Sequence, residues 1–159
     1  MLQLPQRLDN KLLNQGLIAG ARVVRDEARR RAPVLKIPDP RRRAGTLRRS
    51  IRAMRIRPPH YAATAIVRVR GLTRKQIGAF KKKRGAGGAN NPNDPFYWRF
   101  VEFGTSTMGA RPFLRPAFES KKEAAVRLAI ATLRPLVAAE INKLGAAQRM
   151  ITNLIRVTR

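Results

Sequence analysis

The stretch from Phe96 to Phe118, FYWRFVEFGTSTMGARPFLRPAF, constrains the fold most, because it holds most of the chain's aromatic residues. Its first part, residues 96–103, is dense in aromatic residues and valine, which favour a pleated, half-buried strand. Its last part, from Pro112, has the pattern of a helix start, and the Gly- and hydroxyl-rich segment 104–109 joins the two. We therefore expect a strand-to-helix corner here, with the rest of the chain packed around it.

An amphipathic helix is predicted over residues 4–32. Apolar residues recur there at steps of three and four, which places them on one stripe of a helix with about 3.6 residues per turn. These residues are Leu8, Leu12, Leu13, Leu17, Ala21, Val24 and Ala28. Pro33 ends the helix, and a core-packing role is favoured over a membrane-surface role.

Two strands are predicted over residues 50–57 and 61–70. Alternation in the second strand places alanine and valine on one face and Arg68 and Arg70 on the other. Pro58-Pro59-His60 is turn material, so an antiparallel hairpin is expected. Its outer face would be lined with arginine, an arrangement that is unfavourable between directly opposed like charges unless an anionic surface lies across it.

A second long helix is predicted over residues 112–144. Pro116 fits its first turn, where a missing N–H costs nothing. Pro135 should kink or split the helix, because an interior proline costs about 3 kcal/mol. Gly145 is a natural stop, and residues 146–159 would form one more short helix or a tail.

These elements predict one α+β domain over residues 1–159. A small antiparallel sheet of three to four strands would pack against the N-terminal helix and the long C-terminal helix. Strands two and three would be joined by a long basic loop, residues 71–95, in which a lysine- and arginine-rich part is followed by a Gly-rich, flexible part. We interpret this loop as an arm that orders against a neighbouring subunit, a partner ring or DNA, with a mobile solvated loop as the alternative.

The charge is the other extreme feature. The net charge is +26, and no Asp or Glu occurs between Pro40 and Asn93. Such a charge repels itself and calls for an acidic partner, either nucleic acid or an acidic protein surface. The candidate contacts are Arg41, Arg42, Arg43, Arg68, Arg70, Arg74, Lys75, Lys81, Lys82, Lys83 and Arg84.

Glu102 stands out as an acid flanked by apolar residues in a basic protein. We interpret it as a salt bridge or hydrogen bond that fixes the corner, with Arg111 or Arg115 as candidate partners. A catalytic carboxylate is the alternative, but no second carboxylate lies near it in sequence to form an acid–base pair.

Catalysis and cofactor binding are not predicted. The chain has no cysteine, and its single histidine, His60, falls in the predicted turn. Gly85-Ala86-Gly87-Gly88 is not a phosphate loop, because the Asn- and Pro-rich residues after it cannot open a helix. No apolar run is long enough for a signal peptide or a membrane span, so we expect a chain made in a cytoplasm.

VEFGT, followed by a short loop and ARPFLRPAF, resembles the tail-completion or head-to-tail joining family of long-tailed bacteriophages. The resemblance rests on Tyr97, Val101, Glu102, Phe103, Gly104 and Thr105, then on Arg111, Pro112, Phe113, Leu114, Pro116 and Ala117. Each half alone is a weak motif, whereas the two in this order ahead of a long helix are more specific. The likeness extends loosely over about residues 8–144.

This resemblance implies a structural protein of the virion, at the junction of neck and tail. Members form a ring between the connector and the tail tube, through which genomic DNA passes. The implied partners are further copies of the chain, in a hexamer or alternatively a dodecamer, neighbouring neck, connector and tail-tube proteins, and DNA in the lumen. The alternative is a non-specific nucleic-acid-binding protein, ribosomal or architectural, which the charge alone would suggest.

Overall fold

The computed structural model of the protein describes residues 6–36, 42–56, 63–84 and 91–157, and the side chains from residue 12 to 147 within those ranges. The elements are α1 (Gln6–Arg31), α2 (Thr46–Ser50), β1 (Ile51–Ile56), β2 (Thr64–Val69), α3 (Arg74–Arg84), α4 (Trp98–Phe103) and α5 (Leu114–Val157). The fold is α+β: an N-terminal helix and a long C-terminal helix packed with a two-stranded antiparallel sheet.

Helices α1 and α5 pack closely along their length. A Cβ atom at Gly16 would collide with the side chain of Leu133, and one at Gly20 would lie 2.5 Å from the carbonyl oxygen of Ala125. Gly20 therefore lets the backbones of α1 and α5 approach where a side chain would collide, and Gly16, one helical turn earlier, leaves room for the Leu133 side chain.

The hairpin pairs Ile51 with Val69 and Arg52 with Arg68. Ile51 and Val69 are buried against α1 on the inner face. Arg52 and Arg68 are exposed and directly opposed on the outer face, as predicted for an arginine-lined hairpin. The predicted turn, residues 58–60, lies outside the described residues, as do Arg57, Tyr61 and Ala62.

The core is small and lies between α1, α2, the hairpin and the start of α5. It consists of Ala28, Ala32, Leu47, Ile51, Val69, Phe113 and Ala117. Phe113 and Ala117 are both 0% exposed, so the first turn of α5 is the centre of the packing.

The predicted third strand, residues 96–103, is wrong: residues 98–103 form helix α4. The sheet among the described residues therefore has two strands, not three or four. Tyr97, Trp98 and Val101 pack against the core at steps of one and three, which is helical spacing, while Phe100 and Phe103 are exposed. Aromatic composition indicated a strand, but the turn at 91–95 and the helical spacing determine the structure.

Other element boundaries also differ from the prediction. The loop 71–95 contains helix α3, so it is not structureless over its described part. Helix α5 has Pro116 in its first turn as expected; Pro135 lies inside the helix without splitting it, and the helix does not stop at Gly145 but continues to Val157. Residues 146–157 thus extend α5 rather than forming a separate segment. Ser50 belongs to α2, not to the first strand.

Candidate functional site: the helix corner and the basic surface

Glu102 caps α5 from a different helix. Its carboxylate accepts hydrogen bonds from the backbone N–H groups of Phe113 at 2.8 Å, Leu114 at 3.0 Å and Arg115 at 3.0 Å. The next residue, Pro116, has no N–H, so this one side chain satisfies the unpaired donors of the first turn. A buried carboxylate also meets the positive end of the helix dipole there.

Glu102 is therefore hydrogen-bonded at the corner, as predicted, and Arg115 is one of its partners, but through its backbone N–H rather than its guanidinium. Its partners are backbone amides of α5, whereas the side chains of Arg111 and Arg115 are exposed and make no ion pair with it. The sequence signal was an acid preceding an Arg-Pro-Phe-Leu helix start, which fits a long-range cap as well as a salt bridge.

Gly104 makes the turn between α4 and α5. Its φ is +78°, and a Cβ atom there would lie 2.9 Å from both the Ala110 nitrogen and the Met108 oxygen. The Gly104 N–H donates to the carbonyl of Phe100 in α4, and the Arg111 N–H donates to the carbonyl of Val101. A side chain at residue 104 would thus be strained and would also collide with backbone.

The rest of the connection is a tight hydrogen-bonded loop. The Thr105 N–H donates to the Met108 carbonyl, and the Thr105 hydroxyl accepts from the backbone N–H groups of Thr107 and Met108. The motif residues 97–117 therefore build one joint that fixes the angle between α4 and α5.

The outer side of this joint is aromatic. Phe103 is 74% exposed and Phe100 is 49% exposed. Phe96 and Tyr97 meet edge to face, and the Arg42 guanidinium lies 4.9 Å from the Phe96 ring centroid and 5.6 Å from that of Tyr97. Arg42 is thus engaged in cation–π contacts within the chain. Arg41 lies outside the described residues.

Most of the other predicted contact residues are exposed. Arg43 is exposed beside α2, and Arg68 and Arg70 are exposed at the hairpin, where the Arg68 Nε contacts the Met54 sulfur at 3.1 Å. The remainder, Arg74, Lys75, Lys81, Lys82, Lys83 and Arg84, all lie exposed on α3.

Helix α3 displays its charge on all sides, because none of its residues is buried. A capping box starts it: the Gln76 N–H donates to the Thr73 hydroxyl, while the Gln76 side-chain oxygen accepts from the Thr73 N–H. Lys81 to Arg84 in its last turn suit the negative end of the dipole. The basic run within the predicted loop is thus helical from Arg74 to Arg84.

An unforeseen cluster surrounds Glu27 near the end of α1. Glu27 is only 6% exposed and pairs with Arg30 at 2.6 Å and with Arg31 at 2.6 Å. These hydrogen bonds lower the pKa of Glu27 to about 2. The signal in the sequence was an acid three and four residues before arginines, a spacing that brings side chains together on a helix.

No described helix is long and apolar enough to cross a membrane. Within the same part of the chain, no group of His, Asp or Glu side chains is arranged to bind a metal ion.

Comparison with known proteins gives one match. Residues 2–104 match the model of the HK97-gp10-like family, described as "Bacteriophage HK97-gp10, putative tail-component". The matched range includes the VEFG half of the corner motif, while Arg111 to Ala117 lie beyond it. No curated protein and no solved structure matches the chain.

Proposed function

Because this chain belongs to the HK97 gp10-like tail-component family of bacteriophages, we propose that it is a structural, non-enzymatic protein of the virion at the junction of neck and tail. In this role, copies of the chain close into a ring between the connector and the tail tube, and genomic DNA passes through the lumen. A hexamer is the ring order we favour, with a dodecamer as the alternative.

One observation carries the self-association: α5 has an exposed apolar stripe. Val126, Ile130, Val137 and Ile141 are 58%, 46%, 36% and 56% exposed. At about 100° per residue, their spacing confines them to an arc of about 60° on the helix. The residues of α5 that Gly20 of α1 approaches are Ala125 and Ala129, which lie about 60–100° from Val126 around the helix, on the side away from Ile141. Helix α5 therefore packs on α1 with a neighbouring face and presents the stripe to solvent.

A second copy of the chain is the occupant we assign to this stripe. Apolar surface left in water is unfavourable, and a long regular helix can pair with the same or another face of an identical neighbour. Because each chain carries +26, self-association also needs the repulsion to be offset. Nucleic acid in the lumen, or acidic faces of adjacent rings, would supply the negative charge.

The exposed basic helix α3 supports the assignment of acidic partners to a surface other than the α5 stripe. It lacks buried residues and carries no acidic side chain. In the ring it would contact neighbouring neck, connector or tail-tube proteins, or DNA. The same charge would suit a ribosomal or architectural protein that binds nucleic acid. Whether the chain is found at the neck of phage particles distinguishes the two functions.

The oligomeric state of the purified protein tests the stripe. Ile130→Glu combined with Val137→Glu should lower the mass measured by light scattering, at a fixed protein concentration, toward that of the monomer. The matched control is Ala131→Glu with Ala138→Glu, which places the same charges on exposed positions outside the stripe. Equal behaviour of the two double variants, or a monomeric wild type with and without DNA, would contradict a ring built on α5.

A further inference from the structure

Three arginines converge on a polar cleft where α2, the hairpin and α3 meet. The cleft has a volume of about 260 Å³, and Arg49, Arg52 and Arg70 line it. Its other lining residues are Thr46, Ser50, Gly71, Leu72, Gln76 and Asn93, and none of them is acidic. Two of these arginines, Arg49 and Arg52, are not among the contacts expected from sequence.

The backbone holds these arginines together. The Arg70 N–H donates to the Ser50 carbonyl at 2.8 Å, which ties the end of β2 to the junction of α2 and β1. Arg49 folds back over Gly45, where a Cβ atom would lie 3.2 Å from its guanidinium, and it donates to the Thr46 hydroxyl at 3.4 Å. The cleft is thus formed by secondary structure and not by flexible side chains alone.

The charge of the cleft is not neutralised within the described part of the chain. Arg49, Arg52 and Arg70 make no ion pair there, whereas Arg25, Arg30 and Arg31 each pair with a carboxylate. Arg52 in addition stands directly opposite Arg68 across the hairpin. Opposed like charges destabilise a sheet, so an anion bound beside them would relieve an unfavourable contact.

We infer that this cleft binds a backbone phosphate of nucleic acid. Guanidinium groups match phosphate oxygens with two parallel hydrogen bonds, and three of them around a small cleft suit one phosphate group. The basic surface continues from the cleft along α3, which fits a polyanion with regularly repeated charges better than a single acidic side chain. No aromatic residue lines the cleft, so the contact is to the backbone and carries no sequence preference.

This inference rests on the proposed function only for the source of the nucleic acid, the genome that passes through the ring. Its test needs no particle. A fluorescein-labelled DNA duplex of arbitrary sequence is titrated with the purified full chain over a range of salt concentrations, and fluorescence anisotropy gives the affinity and its salt dependence.

The test variant is Arg49→Gln, Arg52→Gln, Arg70→Gln. The control variant, Arg22→Gln, Arg127→Gln, Arg134→Gln, removes the same charge from exposed positions on α1 and α5. We expect the cleft variant to bind at least about tenfold more weakly than the control, with a salt dependence reduced by about one phosphate contact or more. Circular dichroism should match that of the wild type, and the melting temperature should be equal or higher, because Arg52→Gln removes the like charge opposite Arg68.

Equal loss in both variants would overturn the inference, because the charge would then act without a defined site. The inference would also fail if the cleft variant lost binding to poly-glutamate but kept its affinity for DNA, since the cleft would then serve carboxylates. A selective loss of DNA binding by a chain that is absent from particles would instead contradict the ring and leave the phosphate cleft standing.

Discussion

At the scale of single residues, Glu102 of α4 caps the N-terminus of α5. Truncation of its carboxylate leaves three backbone N–H groups without their acceptor at the buried start of α5. We expect Glu102→Ala to lower the free energy of unfolding by about 2–3 kcal/mol. Glu102→Gln should cost about half as much, because its amide oxygen still accepts but the negative charge at the dipole is lost.

Urea denaturation measures these changes, and Glu123→Gln is the control. Glu123 lies on the exposed side of α5 and is 80% exposed, so this variant should fall within about 0.5 kcal/mol of the wild type. If Glu102→Ala were as stable as the control, the cap would not be what fixes the corner.

Gly104 sets the corner by its backbone conformation. Gly104→Val places a β-branched side chain at a φ of +78° and within 2.9 Å of two backbone atoms. We expect a loss of about 3 kcal/mol or more, equivalent to a melting temperature lower by about 10 °C, and failure to assemble. Gly109→Ala, five residues on and in open space, should melt like the wild type. A Gly104→Val chain that folds and assembles normally would show that the corner is not rigid.

Glu27 should make stability depend on acid. Hydrogen bonds from Arg30 and Arg31 lower its folded pKa from an ordinary 4.5 to about 2. Below pH 4.5 the Glu27 side chain is therefore protonated in the unfolded chain but still ionised in the folded chain. Its contribution to the free energy of unfolding is fully present above that pH and is lost as the pH falls toward 2. Glu27→Gln should flatten the pH dependence of the melting temperature in this window, while Glu123→Gln keeps it. The same slope in both variants would contradict this account.

At the scale of elements, the close contact between α1 and α5 depends on the glycines Gly16 and Gly20 in α1. Gly20→Ala should destabilise the fold although alanine favours helices, because its methyl group would lie 2.5 Å from the Ala125 carbonyl oxygen. We expect a loss of about 1–3 kcal/mol on urea denaturation. Gly78→Ala, in the exposed helix α3 with nothing near it, should be neutral or slightly stabilising. The opposite order would mean that α1 and α5 are not in close contact.

The sequence predicted the elements whose local signals agree with their packing. Helix α1 has one apolar stripe and a proline after it, and the hairpin has clear alternation in β2; both were found with small changes at their ends. The α5 start was also predicted, since Pro116 suits a first turn.

The failures came where composition opposed periodicity. Residues 96–103 have the amino acids of a strand but the spacing of a helix, with Trp98, Val101 and Glu102 turned inward. Pro135 does not split α5 and Gly145 does not end it, because the Ala- and Leu-rich residues on both sides favour helix strongly enough to tolerate them. The sequence indicated that Glu102 forms a hydrogen bond at the corner, but not that its partners are backbone N–H groups. The Arg49–Arg52–Arg70 cleft depends on how elements meet and has no local signal.

At the scale of the whole molecule, the surface is divided by chemistry. The α5 stripe is apolar and exposed, whereas α2, the outer face of the hairpin and α3 carry basic residues that form no ion pair within the described part of the chain. The acidic residues that are described lie mostly on α1 and α5, and several of them pair with neighbouring cations. A chain with one apolar and one strongly basic surface suits a subunit that meets its own copies on one side and a polyanion on another.

Electron microscopy of purified particles of the source phage, with a tag on this chain, tests the central claim most directly. The account predicts label at the junction of head and tail, and a reconstruction there with α5 at the contact between neighbouring subunits and the basic surface toward DNA or an acidic ring. A chain that is absent from every particle, and found instead with ribosomes or bulk DNA, would contradict it.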